Sequence, residues 1–86
     1  MPQMKIRLRL FATLQEYLPP GSSNGEIVLE LPEDATVPVA LASVGVPLNL
    51  AHILFVNGRH VLRPNLASHR LQEGDTLSAF PAIGGG

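Results

Sequence analysis

The chain begins with strict alternation. Met4, Ile6, Leu8 and Leu10 are apolar, and the residues between them, Lys5, Arg7 and Arg9, are basic. Strand side chains point to opposite faces in turn, so this period-2 pattern predicts a half-buried strand over 4–10. Alternation returns over 26–31, where Ile27, Leu29 and Leu31 share a face. This second strand is expected to run antiparallel to the first across a long connection. Within that connection Thr13 is followed three residues later by Glu16, the spacing of a capping box. Leu14, Tyr17 and Leu18 would share one side of a short helix there, ended by Pro19-Pro20-Gly21.

After a turn at 32–35 the period changes. Val37, Ala40, Leu41 and Val44 recur at helical spacing. Thr36 fits the N-cap, Pro38 falls in the first turn where proline is tolerated, Gly45 fits a left-handed C-cap, and Pro47 blocks continuation. The main helix is therefore predicted over 37–44. The apolar run 53–56 reads as a central strand, and Asn57-Gly58 is a strong hairpin signal, with 59–62 returning. Residues 63–69 read as irregular. A turn at 71–75 leads into a last strand over 76–80, with Leu77 and Ala79 toward the core. Pro81 then stops ladder pairing, because it has no N–H to donate. The order strand, strand, helix, strand, strand, strand implies an α+β fold. It would have a mixed four- to five-stranded sheet packed on one main short helix.

Composition narrows the function classes. With 86 residues the chain makes one small domain. Folding at this size buries roughly 60% of the unfolded surface, which allows a core but no large internal cavity. The hydrophobic fraction of 45% against 15% charged is that of a globular chain. The organisation expected is a domain over 1–81 and a flexible Gly-rich tail over 82–86. A net charge of −1 gives no reason to expect a nucleic-acid partner. The Lys5, Arg7 and Arg9 stripe has two open readings, a solvated strand face or a docking patch for an acidic partner. No apolar stretch approaches the roughly 18 residues of a membrane span, and no signal peptide is visible. The expectation is a soluble cytoplasmic protein.

Conventional catalysis finds little support. There is no cysteine, which removes disulfides, thiolate metal sites and thiol nucleophiles together. His52, His60 and His69 are spaced by 8 and 9 residues, which matches no compact zinc pattern. They read as surface or loop histidines, and no metal site is expected. Glu33-Asp34 and Glu73/Asp75 lie in turns with no base, nucleophile and orienting group around them. Ser22, Ser23 and Ser43 lack the strand-to-helix glycine setting of a nucleophile elbow. No self-contained active site and no bound cofactor are expected.

That leaves the end of the chain, Ala82-Ile83-Gly84-Gly85-Gly86. Glycine averages about 7% of residues, so three in a row at one chosen place occur by chance about 3 times in 10,000. One reading is a flexible terminus or linker scar. The other uses the missing Cβ, which lets backbone enter a narrow channel and present a bare carboxylate to another protein. That carboxylate is ionised at neutral pH, with a reference pKa of about 3.3–3.7, and is a poor electrophile until activated. Attack on the α-phosphate of ATP would release pyrophosphate and leave an acyl-adenylate open to a sulfur nucleophile. No side chain of this protein would be needed.

The pattern resembles the MoaD/ThiS family of ubiquitin-like sulfur carriers. The matching segments are Arg9-Leu10-Phe11-Ala12-Thr13-Leu14, Thr36-Val37 through Leu41, and Phe55-Val56-Asn57-Gly58. The most specific is Leu71-Gln72-Glu73-Gly74-Asp75-Thr76-Leu77, followed by Phe80-Pro81 and the terminal glycines. The resemblance implies a β-grasp, ubiquitin-like fold. It implies that Gly86 is adenylated by a ubiquitin-activating-type adenylyltransferase, using ATP, and becomes a thiocarboxylate. It implies a sulfur donor such as a cysteine desulfurase, and an acceptor such as the large subunit of molybdopterin synthase. The protein would then be a co-substrate or small subunit rather than an enzyme alone. The Phe-Pro approach is closer to the molybdopterin (or tungstopterin) branch than to thiamine thiazole synthesis, although Gly84 stands where alanine is common there. Phe80, Pro81, Gly84 and Gly85 are the implied partner-binding residues. Phe80 could equally close the end of the core. Two other functions remain open at this point, a ubiquitin-like protein modifier and a plain binding domain whose tail is incidental.

Overall fold

A computed structural model gives the fold, with residues 2–82 described. The elements are β1 (Gln3–Leu10), β2 (Glu26–Pro32), α1 (Val37–Ser43), β3 (Ile53–Val56), β4 (Arg59–His60) and β5 (Thr76–Phe80). They form one five-stranded sheet in the order β2-β1-β5-β3-β4. β1 is antiparallel to β2, as expected from the sequence, and parallel to β5. β3 is antiparallel to both β5 and β4. The strand that leads to the C-terminus is therefore the middle strand of the sheet.

Alternation decides the two faces. Met4, Ile6, Leu8 and Leu10 of β1, Leu54 and Val56 of β3, and Leu77 and Ala79 of β5 are buried on one face. Val37, Ala40 and Leu41 of α1 pack in the same cluster. α1 has seven residues, too few to be stable in isolation, so this packing is what holds it. Thr36 is its N-cap residue, but its side chain makes no capping hydrogen bond. The C-terminus is better finished. Gly45 takes φ 82°, and the Gly45 and Val46 N–H groups donate to Ala42 and Leu41 carbonyls at 3.0 Å each. This is the Schellman arrangement, and only glycine enters that φ region without strain.

The Asn57-Gly58 turn forms as expected, with φ of 54° and 83°, the backbone of a type I′ hairpin. Three local expectations are corrected. The 12–17 segment is a 3-10 turn, Ala12–Tyr17, and the Thr13/Glu16 capping box does not form. Phe11 is the N-cap instead, because Ala12 turns the chain at φ 54° and leaves Thr13 already inside the turn. The return strand stops at His60 rather than continuing to 62. The following 3-10 turn, Arg63–Ser68, begins after Val61 and Leu62 and carries Pro64, so the 63–69 stretch is ordered rather than irregular. It buries Leu66, and Arg63 Nη2 closes it by donating to the Ala51 carbonyl at 2.9 Å.

Candidate functional site

β5 positions the root of the tail. Its inward residues Leu77 and Ala79 are fully buried, so alternation turns Thr76, Ser78 and Phe80 to the opposite face. The Phe80 carbonyl accepts the His52 N–H at 2.8 Å, and the Ala79 carbonyl accepts the Phe11 N–H at 3.2 Å. The backbone is thus tied on both sides up to the last residue of the strand. Pro81 follows half-buried and Ala82 exposed. Gly84, Gly85 and Gly86 lie outside the described residues.

Phe80 does not close the core. It stands on the open face of the sheet, away from α1. Its ring stacks on Phe11 with centroids 4.2 Å apart and planes within 10°. Phe55 meets it edge-on at 5.8 Å and 85°, and His60 tilts against Phe55 at 5.4 Å. All three phenylalanines of the chain are thus gathered beside the tail root. Offset-stacked and edge-to-face pairs each contribute about 0.5–1.5 kcal/mol beyond the area they bury. The left-handed Ala12 helps build the cluster, since the chain reverses there immediately after Phe11.

The basic stripe continues this face. The Arg9 guanidinium lies 5.2 Å from the Phe11 ring centroid, within cation–π range. Glu26 receives two arginines, with Arg7 Nε at 3.4 Å from one carboxylate oxygen and Arg9 Nε at 3.2 Å from the other. The Arg9 Nε is buried and its N–H is not aimed at the carboxylate, so this contact is an ion pair without a hydrogen bond. The register sets Lys5 opposite Glu30 and Arg9 opposite Glu26. Three cations and two carboxylates leave this part of the face at net +1, so the stripe is far less basic than β1 alone suggests.

A surface groove of about 310 Å³ runs beside the root, lined by Leu14, Tyr17, Leu50, Pro81 and Ala82 with polar Glu16 and Asn49 at its edges. It exposes no arrangement of acid, base and nucleophile. The sequence-flagged acids serve turns. Glu73 Oε1 accepts the Lys5 N–H at 3.0 Å, and Asp75 accepts from Asn57 and Gln72. The three histidines are apart from one another, with His52 preceding β3, His60 on β4 and His69 after the Arg63–Ser68 turn. Among the described residues no three His, Cys, Asp or Glu side chains stand together as metal ligands would. No helix among them is long and apolar enough to cross a membrane.

Phe11 and Phe55 are the site residues that sequence reasoning missed. A signal for Phe55 was present, because it lies between Leu54 and Val56 and so faces away from them.

A family model described as "Mut7-C ubiquitin" matches residues 3–84. Among solved structures, the chain is similar to the Haloferax volcanii HVO 2177 protein, at 30% identity and TM-score 0.76, covering 98% of this chain and 88% of that one. It is similar to SAMP1 of Haloferax volcanii at 26% identity and TM-score 0.65, covering 95% and 99%. A candidate molybdopterin converting factor, subunit 1, from Pyrococcus furiosus shares its fold at 23% identity and TM-score 0.65, covering 93% and 99%. No curated protein sequence matches the chain. These similarities establish a ubiquitin-like β-grasp fold.

Proposed function

The chain belongs to the Mut7-C ubiquitin family, and on that premise we propose that it is a ubiquitin-like sulfur carrier whose working group is the α-carboxylate of Gly86. The observation that carries this reading is the path of β5. The middle strand of the sheet is tied down through Phe80 and leads through Pro81 directly into the glycine-rich end. A rigid handle ending in a thin probe suits delivery into another protein's active site.

The chemistry follows from the carboxylate. Inside a ubiquitin-activating-type adenylyltransferase it attacks the α-phosphate of ATP, and pyrophosphate leaves. Sulfide adds to the acyl carbon and displaces AMP, giving the thiocarboxylate directly. A persulfide carried by a donor such as a cysteine desulfurase displaces AMP to give an acyl disulfide, which a thiol reductant then cleaves to the same thiocarboxylate. With no cysteine in the chain, the terminal carboxyl is where this protein would hold transferable sulfur. Phe80, Phe11 and Phe55 form the docking surface beside the probe, Pro81 sets its departure, and Gly84 and Gly85 give it a narrow cross-section. Similarity to a molybdopterin converting factor favours a pterin precursor as acceptor, delivered in the large subunit of molybdopterin synthase. A cytoplasmic setting would supply the ATP that this reaction uses.

Similarity to SAMP1, described as a small archaeal modifier protein, favours a second reading in which the same adenylate passes Gly86 to lysines of other proteins. The chain has one lysine of its own, Lys5, so it is poorly equipped to build chains on itself. One experiment separates the two. The protein is incubated with the adenylyltransferase, ATP and a sulfide source, then weighed intact. Exchange of one terminal oxygen for sulfur, lost on deleting Gly86 or appending a residue after it, supports the carrier. No exchange sinks it, and isopeptide adducts in lysate would establish the modifier.

A further inference from the structure

Three of the five arginines are engaged within the chain. Arg7 and Arg9 pair with Glu26, and Arg63 donates to the Ala51 carbonyl. Arg59 and Arg70 have no ion pair and no side-chain hydrogen bond among the described residues, and both line one cleft. This cleft, of about 470 Å³, lies between the Asn57-Gly58 turn and the 69–75 segment, with His69, Gln72 and Asp75 also on its walls. It sits at the Thr76 end of β5. The tail leaves from the other end, four residue steps or roughly 13 Å along the strand.

Hydrogen bonds fix the two walls to each other. Asn57 Nδ2 donates to Asp75 Oδ1 at 2.8 Å, and the Gln72 N–H donates to Asp75 Oδ2 at 2.8 Å. Asn57 Oδ1 accepts the Thr76 N–H at 2.8 Å. Both Asp75 oxygens are thereby held by the walls, and neither comes within ion-pair distance of an arginine among the described residues. Arg59 and Arg70 against Asp75 leave the cleft at net +1, while the whole chain is at −1.

We propose that this cleft binds a phosphorylated small molecule through Arg59 and Arg70. Two guanidinium groups lining one cleft call for a ligand with acceptor oxygens in more than one direction. A phosphoryl or diphosphoryl group has them, together with the second negative charge that engages both arginines, whereas a single carboxylate offers one edge. The volume lies in the range of small-molecule pockets, about 300–1,000 Å³, and leaves room for an organic body beyond the phosphate.

Titration of the 15N-labelled protein with inorganic pyrophosphate, followed by amide shifts, tests this. Saturable shifts confined to 57–60 and 69–76 are expected. Arg59→Ala and Arg70→Ala should each weaken binding about 10-fold, since a charge-assisted fork is worth roughly that factor. Arg59→Lys and Arg70→Lys, which keep the charge and lose the fork, should fall between, and they carry the test if an alanine variant loses its dispersed spectrum. Shifts that never saturate, that spread equally over Lys5, Arg7 and Arg9, or that persist in the double alanine variant overturn the site. Sulfate binding as tightly as pyrophosphate overturns its assignment to phosphoryl groups. None of these readouts depends on the chemistry of Gly86.

Discussion

The helix-covered face of the sheet is built from aliphatic side chains and Met4, nearly all without solvent exposure. The open face holds Phe11, Phe55 and Phe80, half-buried, beside a stripe of paired charges. Both faces are carried by the same strands, and β5 contributes Leu77 and Ala79 to one and Phe80 to the other. Burial of a Leu side chain is worth about 1.5–3 kcal/mol whatever its neighbours. Aromatic rings left half-exposed forgo part of that gain, yet they are the residues that dominate binding surfaces. The covered face therefore holds β5 in place, and the open face is available for a partner to grip.

That division is broken most directly at Leu77. Leu77→Ala removes a fully buried side chain from the middle strand and should cost about 2–5 kcal/mol, read by chemical denaturation. A cost below 1 kcal/mol would mean that β5 is not the keystone of the core. Phe80→Ala is the opposing case. Loss of its two ring pairs should lower stability by about 1–3 kcal/mol, while weakening affinity for the adenylyltransferase by at least tenfold, measured by calorimetry with folded protein. Equal effects of Phe80→Ala and Leu77→Ala on stability, with no effect on affinity, would return Phe80 to a structural role.

The two faces were unequally legible in the sequence. Period-2 alternation in 4–10 and 76–80 fixes which residues face inward, because a strand permits no other parity. The helix was legible from Val37, Ala40, Leu41 and the Gly45 stop. The aromatic cluster was not, since it requires β5 to lie between β1 and β3. Alternation says which way a side chain points but not which strand lies alongside. Ala12 was also unreadable. Alanine gives no sign of φ 54°, a region that few non-glycine residues enter. The 3-10 turns failed for a related reason, being too short to establish a period. The glycine-rich end was legible as a motif, and the chemistry proposed for it rests on that motif and the family.

A smaller effect tests how the hairpin end is held. Asn57 combines a left-handed φ with side-chain hydrogen bonds to Asp75 and Thr76. Asn57→Ala meets both losses and should cost about 1–2 kcal/mol. Asn57→Gly keeps the backbone freedom and loses only the side-chain bonds, so thermal unfolding should place it between wild type and the alanine variant. If the two variants are equal, the hydrogen bonds alone lock the turn.

The smallest stability effect is expected at Glu26, and it bears on what the open face is for. Arg7, Arg9 and Glu26 side chains are 57%, 43% and 33% exposed, so the pairs should contribute less than about 1 kcal/mol in total. Glu26→Gln should therefore leave unfolding within that margin, and the residual difference should fade in roughly 1 M salt, where the Debye length is near 3 Å. Its effect on association is expected to be larger. Removing the carboxylate raises the local charge from +1 to +2, by the same count of Lys5, Arg7 and Arg9 against Glu26 and Glu30. If the activating partner presents an acidic surface here, the on-rate should rise several-fold at low salt and return to the wild-type value at high salt. An on-rate that does not change at either ionic strength would make the stripe a solvated strand face, and would leave the gripping to the three phenylalanines.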